Sequence, residues 1–488
     1  MAAATEEQSL LDSVPKQLLI AGQWRDAFER GTLRVEDPAT GETLCEVADG
    51  TPDDAKDALA AAHDARAEWA ASVPNDRAEI LWAAFQKLTD RADDLALLMT
   101  LEMGKPIAES KAEIIYAAEF FRWFSGEALR ITGDYRVGGT GAGRVLVMRQ
   151  PVGPSLMITP WNFPMAMGTR KIGPAIAAGC TMVMKPAQQT PLSMLALAKI
   201  LEECGLPAGV LNLITSSSSG ATMGPLIEDP RARKLSFTGS TEVGRKLIAQ
   251  ASGQVLKVSM ELGGNAPFLV FDDADLDAAV EGALLAKMRN IGEACTSANR
   301  FHVAGSMAGE FADRLAARMG DLKIGRGTEE GVKVGPLIDD EQRAKVAELV
   351  DDAVGKGAKA LVGGSAVDGA GYFYEPTVLG GVTPDARVLK EEIFGPVAPV
   401  IGFDSEKDAV AAANDTEYGL VAYVFTRDFK RALRVIEGLE TGMVGLNQGM
   451  VSNAGAPFGG VKQSGIGREG GFEGIDEYLE TKYVAVNL

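Results

Sequence analysis

The chain has 488 residues, 46% of them hydrophobic, with 48 Lys and Arg against 67 Asp and Glu, a formal net charge of −19. This length exceeds one ordinary core and implies two or three domains, while the acidic balance without a long basic cluster excludes nucleic acid and anionic membranes as expected partners. No apolar run reaches membrane-spanning length, and with only two histidines, His63 and His302, no multi-histidine zinc site and no other metal site are expected.

The opening MAAATEEQSLLDSVPK carries acids rather than Lys or Arg, unlike a secretory signal or transit peptide, so a cytoplasmic protein is expected. Helical spacing follows over 53–71, 75–102 and 105–130, and His63 reads as a surface residue of the first helix. GDYRVGG and GRVLVMRQ (133–150) predict a hairpin. Strand and helix then alternate: SLMIT (155–159), a helix near 165–178, TMVMKP, a helix from 191, LNLIT (211–215), a helix near 219, KLSFTG and a helix from 241. Such units favour a parallel sheet covered on both faces, suited to a nucleotide. From about 255 a second α/β layer is expected, with LKVSMEL, PFLVFD, a helix at 275–287, LVAYVFT (421–427) and MVGLN (443–447). The closing YLETKYVAVNL reads as a strand able to pair with another subunit, the 133–150 hairpin being its match.

Cys295, in MRNIGEACTSANR, and Glu261, in MELGGNAP, pair a nucleophile with a base. An ionised thiol attacks carbonyls, and a carboxylate held away from water can take a proton near neutral pH. The pair suits oxidation of an aldehyde through a thioester, given a hydride acceptor nearby. Two other readings stay open: a hydrolase pairing Cys295 with His302, and a structural protein on a retired enzyme fold. Cys180 and Cys204 read as packing residues, and the four cysteines lack CxxC spacing, so reduced thiols are expected.

The one formal GxGxxG match, Gly465, Gly467 and Gly470, neither follows a strand nor opens a βαβ unit and reads as a decoy. GSTEVGRK (239–246) does lie between a strand and a helix. Gly239, Ser240 and Gly244 there either bring a helix N-terminus to a pyrophosphate or make an ordinary turn. In TPWNFP (159–164), prolines and aromatics hold the Asn162 amide as a donor for an oxyanion, or form a plain structured turn. EEIFGP (391–396) and PFGGVKQSG (457–465) read as loops that touch a ligand or simply cover the surface.

Taken together, TPWNFP, FTGSTEVG, ELGG, GEAC with ANR, EEIFGP and PFGGVKQSG follow the order and spacing of the aldehyde dehydrogenase superfamily, which the chain resembles over nearly its whole length. TRKIGPAIAAGCTMVMKPAQQTP (169–191) and GREGGFEGIDEYLETKY resemble its succinate-semialdehyde branch in particular. The resemblance implies two open α/β, Rossmann-like domains plus a small β oligomerisation module. The cofactor domain would take 1–130, 151–257 and a return at 448–470; the catalytic domain 258–447; the oligomerisation module the 131–150 hairpin and the 471–488 strand. A homo-oligomer, dimer or tetramer, is implied, with a small aldehyde as partner.

By the same resemblance, Cys295 is the nucleophile, Asn162 and the Cys295 N–H are oxyanion donors, Glu261 is the deacylating base, and Lys171 and Glu469 relay its proton. Trp161, Lys185, Gln188, Gly239, Ser240, Gly244, Glu392 and Phe394 would hold the cofactor. Gln188 stands where NAD-preferring relatives often carry Glu; a neutral amide tolerates a 2′-phosphate that a carboxylate repels, so NADP is expected over NAD. Arg170, Arg289 and Ser452 would grip a distal carboxylate, unless each arginine pairs with an internal acid. The expected reaction is oxidation of succinate semialdehyde, with glutarate semialdehyde or another aldehyde as the alternative. Two residues depart from the pattern: Glu293 replaces a Gln, adding an acid of unsigned effect near the thiol, and Ser297 replaces a Cys that would form a disulfide switch.

Overall fold

Short apolar runs without polar alternation become strands buried on both faces, as parallel strands between helical layers must be. In the computed structural model, which describes residues 2–487, Ser155–Ile158, Met182–Lys185, Leu211–Leu213 and Lys234–Thr238 are buried at every position. They lie in an eight-stranded sheet ordered Gly465–Ile466, Lys257–Glu261, Lys234–Thr238, Ser155–Ile158, Met182–Lys185, Leu211–Leu213, Leu18–Ile20 and Gln23–Arg25. The central five run parallel, with short antiparallel strands at both edges.

Lys257–Glu261, expected to open the second layer, therefore belongs to the first sheet. Its five residues pair in parallel with Lys234–Thr238, a partnership that apolar pattern does not reveal. The second sheet has seven strands ordered Lys359–Val362, Thr377–Gly380, Val397–Phe403, Ala298–Ala304, Ala266–Val270, Val421–Phe425 and Met443–Leu446. All pairings but that of Lys359–Val362 are parallel.

The periodic stretch 75–102 is two helices, Pro74–Asp90 and Ala92–Met103, separated at Arg91 (φ −101°, ψ 18°). Leu81, Leu88 and Leu95 are buried on both sides of the break, so the apolar register carries through it and hides it. Both pieces pack on Ile107–Ala128, which in turn packs on Ala166–Ala178, a helix buried at every position. The closing strand Leu479–Val486 pairs antiparallel with Arg144–Pro151 of its own chain, and Asp134–Val137 completes that third sheet. One backbone edge of this strand is thus filled by the hairpin, and the other ends the sheet. No helix among the described residues is long and apolar enough to cross a membrane.

Candidate active site

Chain direction collects the site. Glu261 ends its strand, Thr159–Asn162 follow Ile158, Lys185 ends Met182–Lys185, and Gly239 and Ser240 follow Thr238, all at carboxyl ends of the first sheet. Cys295 precedes Ala298–Ala304, and Glu392 and Phe394 precede Val397–Phe403, at amino ends of the second. Carboxyl ends of open parallel sheets are where such folds bind ligands.

One cavity of about 210 Å³ is lined from both sheets by Trp161, Asn162, Gly239, Ser240, Glu261, Cys295, Glu392 and Phe394. The Trp161 and Phe394 rings meet edge to face, with centroids 5.4 Å apart. Gln342 and Lys345, which sequence reasoning missed, complete the wall. Gln342 Nε2 donates to the carbonyls of Ile393 (3.1 Å) and Phe394 (2.7 Å) and so fixes the EEIFGP loop. Both lie on the charged helix Asp340–Gly355, whose pattern does not set them apart.

A second cavity of about 590 Å³ is lined by Tyr116, Phe163, Arg289, Met450 and Ser452 among others. Adjacent residues Asn162 and Phe163 line the two cavities, so the TPWNFP turn borders both. Lys105 Nζ donates to the Asn162 carbonyl at 2.7 Å, and the Asn162 side-chain Nδ2 donates to the Glu293 carbonyl at 3.0 Å. The second amide hydrogen of Asn162 remains for the cavity.

Burial pushes the Cys295 thiol up to about 12; Arg170 opposes the shift, whereas Glu392 and Glu261 add to it. Burial, reinforced by the charge of Glu469, raises the Glu261 carboxyl well above the usual range, and its Oε2 has no hydrogen-bond partner. Burial also disfavours the Glu469 anion, but Lys171 and Arg170 together outweigh it and hold that carboxyl low. Lys171 Nζ lies 2.6 Å from Glu469 Oε1 and 3.0 Å from Ser236 Oγ. Burial thus makes the thiol and the Glu261 carboxyl hold their protons more tightly than ordinary groups, whereas the neighbouring cations favour the Glu469 anion.

The three substrate candidates separate. Arg289 Nη1 donates to Ser452 Oγ at 2.8 Å, its guanidinium lies 4.9 Å from the Phe163 ring centre, and it makes no ion pair among the described residues. Arg170 lines neither cavity. Its Nε sits 2.8 Å from Glu469 Oε2 and its guanidinium 3.8 Å from the Phe458 ring centre, so for this arginine the internal pairing holds. Its place on the buried helix that also carries Lys171 brings both cations to Glu469; Arg170 Nη2 is left without a partner.

Lys185 is buried, which lowers its ammonium to about 8, and Nζ makes no hydrogen bond or ion pair among the described residues. Gln188 is exposed, and both stand outside the smaller cavity. Glu392 Oε1 accepts from Gly264 N at 3.1 Å, and burial lifts its carboxyl to about 7. Ser240 caps helix Thr241–Ala251, while the Gly239 N–H is already bonded to the Glu261 carbonyl (3.1 Å). A Cβ on Gly244 would overlap Leu262, so that glycine serves packing rather than ligand contact. An unpaired Lys185 ammonium and a buried, unpartnered Thr238 hydroxyl at the cavity wall fit the hydroxyls and phosphates of a nicotinamide dinucleotide.

Glu293 Oε1 accepts from Ile338 N at 3.1 Å, and burial raises its carboxyl well above the usual range. Burial thus favours its protonated form, and the charges that bear most on Cys295 are those of Arg170, Glu392, Glu261 and Arg289. Ser297 is buried with its hydroxyl 3.3 Å from the Lys287 carbonyl, and all four cysteines are free. His302 lines a different cavity with Arg300 and Asp404, and burial pushes its imidazole down to about 3, so Cys295 gains no base from it. Gly465, with φ 144°, lies in the edge strand where any Cβ would strike the Met260 carbonyl; the GxGxxG match serves strand packing.

This fold and site are those of an NAD(P)-dependent aldehyde dehydrogenase. The chain belongs to the aldehyde dehydrogenase family, whose profile matches residues 24–484. It is 58% identical to the succinate-semialdehyde dehydrogenase of Paenarthrobacter nicotinovorans, over 91% of this chain and 98% of that one. It is 51% identical to the glutarate-semialdehyde dehydrogenase of Pseudomonas putida, over 97% and 98%. The crystal structure of an Escherichia coli NADP-dependent enzyme superposes with a TM-score of 0.96 at 51% identity, covering 98% of this chain and 99% of that one.

Proposed function

We propose that this enzyme oxidises a short aldehyde with a distal carboxylate, succinate semialdehyde or its one-carbon-longer homologue glutarate semialdehyde, to the dicarboxylate. The observation that carries this reading is Arg289. It is a cation with no carboxylate ion-pair partner among the described residues, bonded to Ser452 at the wall of the 590 Å³ cavity and close enough for its charge to bear on the Cys295 thiol. An unpaired guanidinium in a half-buried wall favours an anionic substrate end through charge-assisted hydrogen bonds. Relatives at similar identity carry both the succinate and the glutarate semialdehyde names, and one methylene changes pocket fit by only about 1–3 kcal/mol.

In the proposed chemistry Cys295 Sγ adds to the aldehyde carbon, and Asn162 Nδ2 with the Cys295 N–H stabilises the oxyanion. A dinucleotide held by Trp161, Lys185, Gln188, Gly239, Ser240, Glu392 and Phe394, with Gln342 and Lys345, supplies the hydride acceptor. Glu261 then takes a proton from the water that cleaves the thioester; the burial that raises its carboxyl makes it a stronger base once ionised. Lys171 and Glu469 lie in position to pass that proton on. Neutral Gln188 near Lys185 favours NADP over NAD, because no carboxylate there repels a 2′-phosphate. Arg170 acts indirectly, through its pairing with Glu469.

The test compares succinate semialdehyde with butanal in Arg289→Gln. Losing a charge-assisted bond of about 1.5–3 kcal/mol lowers kcat/KM for the acid some ten- to a hundredfold and spares butanal. Equal losses for both aldehydes would assign Arg289 to the fold or to Cys295 instead.

A further inference from the structure

Tyr116 lies on helix Ile107–Ala128 and lines the larger cavity beside Arg289, Phe163 and Ser452. Its ring packs edge-on against Phe120 with centroids 5.0 Å apart, and the Arg289 guanidinium stands 5.9 Å from its centre. The ring is therefore held; its hydroxyl is buried and makes no hydrogen bond of good geometry, Ser452 being the described side chain that bears on it by hydrogen bonding. A buried tyrosine hydroxyl ordinarily has a partner, and one left open at a cavity wall awaits a group from the cavity.

The neighbouring groups define that partner. Arg289 donates to Ser452 Oγ, which leaves the Ser452 hydroxyl hydrogen to point elsewhere. Burial makes the phenol harder to ionise, while Arg170, Arg289 and Ser452 all act the other way, which places Tyr116 within the field of both cations. Tyr116, Arg289 and Ser452 thus line one cavity in which the carboxylates of Glu109, Glu113 and Glu281 are already engaged, with Asn290 N, with Lys105 and the Met165 and Ala166 N–H groups, and with Arg318 respectively. A carboxylate brings two oxygens and about four lone-pair sites, enough for all of them. An alkyl chain end would leave the phenol hydrogen unsatisfied, so the same hydroxyl also disfavours uncharged aldehydes.

We infer that Tyr116 is a specificity-determining residue whose Oη donates a hydrogen bond to the distal carboxylate of the substrate, completing a cradle with Arg289 and Ser452. This rests on the carboxylate-substrate reading above and adds a member that no motif in the sequence marks.

The experiment is Tyr116→Phe, which removes one oxygen, assayed with succinate semialdehyde and butanal alongside Arg289→Gln, with succinate as a competing ligand. For the Phe variant, kcat/KM for succinate semialdehyde should fall about tenfold, mostly through KM, with butanal unchanged within about twofold and succinate inhibition weakened to match. If Arg289→Gln is selective for the acid and Tyr116→Phe changes nothing, or lowers both aldehydes alike, the inference on Tyr116 is overturned while the carboxylate reading stands. If neither variant separates the two aldehydes, the carboxylate reading itself falls. Melting curves establish that each variant is folded; should the Phe form not accumulate, Tyr116→Met carries the same test with the same deciding outcomes.

Discussion

Glu293 shows how one buried carboxyl can change stability without changing shape. Its Oε1 is bonded to Ile338 N, its Oε2 has no partner, and burial keeps its proton on well above the ordinary value of 4.5. Between that value and the raised folded one, the native chain holds a proton that the unfolded chain has released, so stability falls as pH rises. Each pH unit of that window costs about 1.4 kcal/mol. Glu293→Gln keeps the shape and removes the titration. The Tm of the variant relative to the parent should therefore rise from pH 5 to pH 8, as measured by thermal melts at both. A constant difference would mean that Glu293 is ionised in the fold.

The TPWNFP turn shows how an element is held by residues far from it in sequence. Lys105 Nζ bonds both Glu113 Oε2 (2.5 Å) and the Asn162 carbonyl, while Glu113 Oε1 accepts from Met165 N (3.0 Å) and Ala166 N (3.1 Å) at the start of Ala166–Ala178. Glu113→Ala leaves the Lys105 ammonium buried and unpaired and opens those two backbone donors. Urea unfolding should show a loss of about 3–5 kcal/mol. As the Asn162 amide loses its fixed position, kcat should fall towards the roughly hundredfold loss expected when an oxyanion donor is removed. Unchanged kcat in the folded fraction would mean that the prolines alone hold the turn. The turn itself was legible, because Pro, Trp and Phe around Asn162 constrain the backbone locally. Lys105 and Glu113 were not, since on helical spacing they look like any solvated charges and only tertiary burial distinguishes them. The same limit hid the break at Arg91, the sheet membership of Lys257–Glu261, and Gln342 and Lys345. Each depends on which elements become neighbours, and one-dimensional pattern does not encode that.

At the scale of the whole molecule, the third sheet leaves an apolar face that the rest of the chain does not cover. By register Tyr135 sits opposite Leu146 and Leu146 opposite Val484, with Val137 two positions along the same face as Tyr135. Tyr135 and Val137 are 64% and 55% exposed. The closing strand ends the sheet, with one backbone edge paired to the hairpin and the other unpaired among the described residues, and this apolar face beside it is a surface a second copy would cover in the expected homo-oligomer. Tyr135→Asp combined with Val137→Asp places two charges there, and desolvating them on association is costly. Light scattering coupled to size exclusion should show the parent as a dimer or tetramer and the double variant shifted towards the 51.4 kDa single chain. Because Tyr135 and Val137 line neither cavity, kcat per chain should stay within about twofold as long as the monomer remains folded. An unchanged mass would move the interface to another surface; a monomer that is folded but inactive would show that assembly orders the catalytic turn.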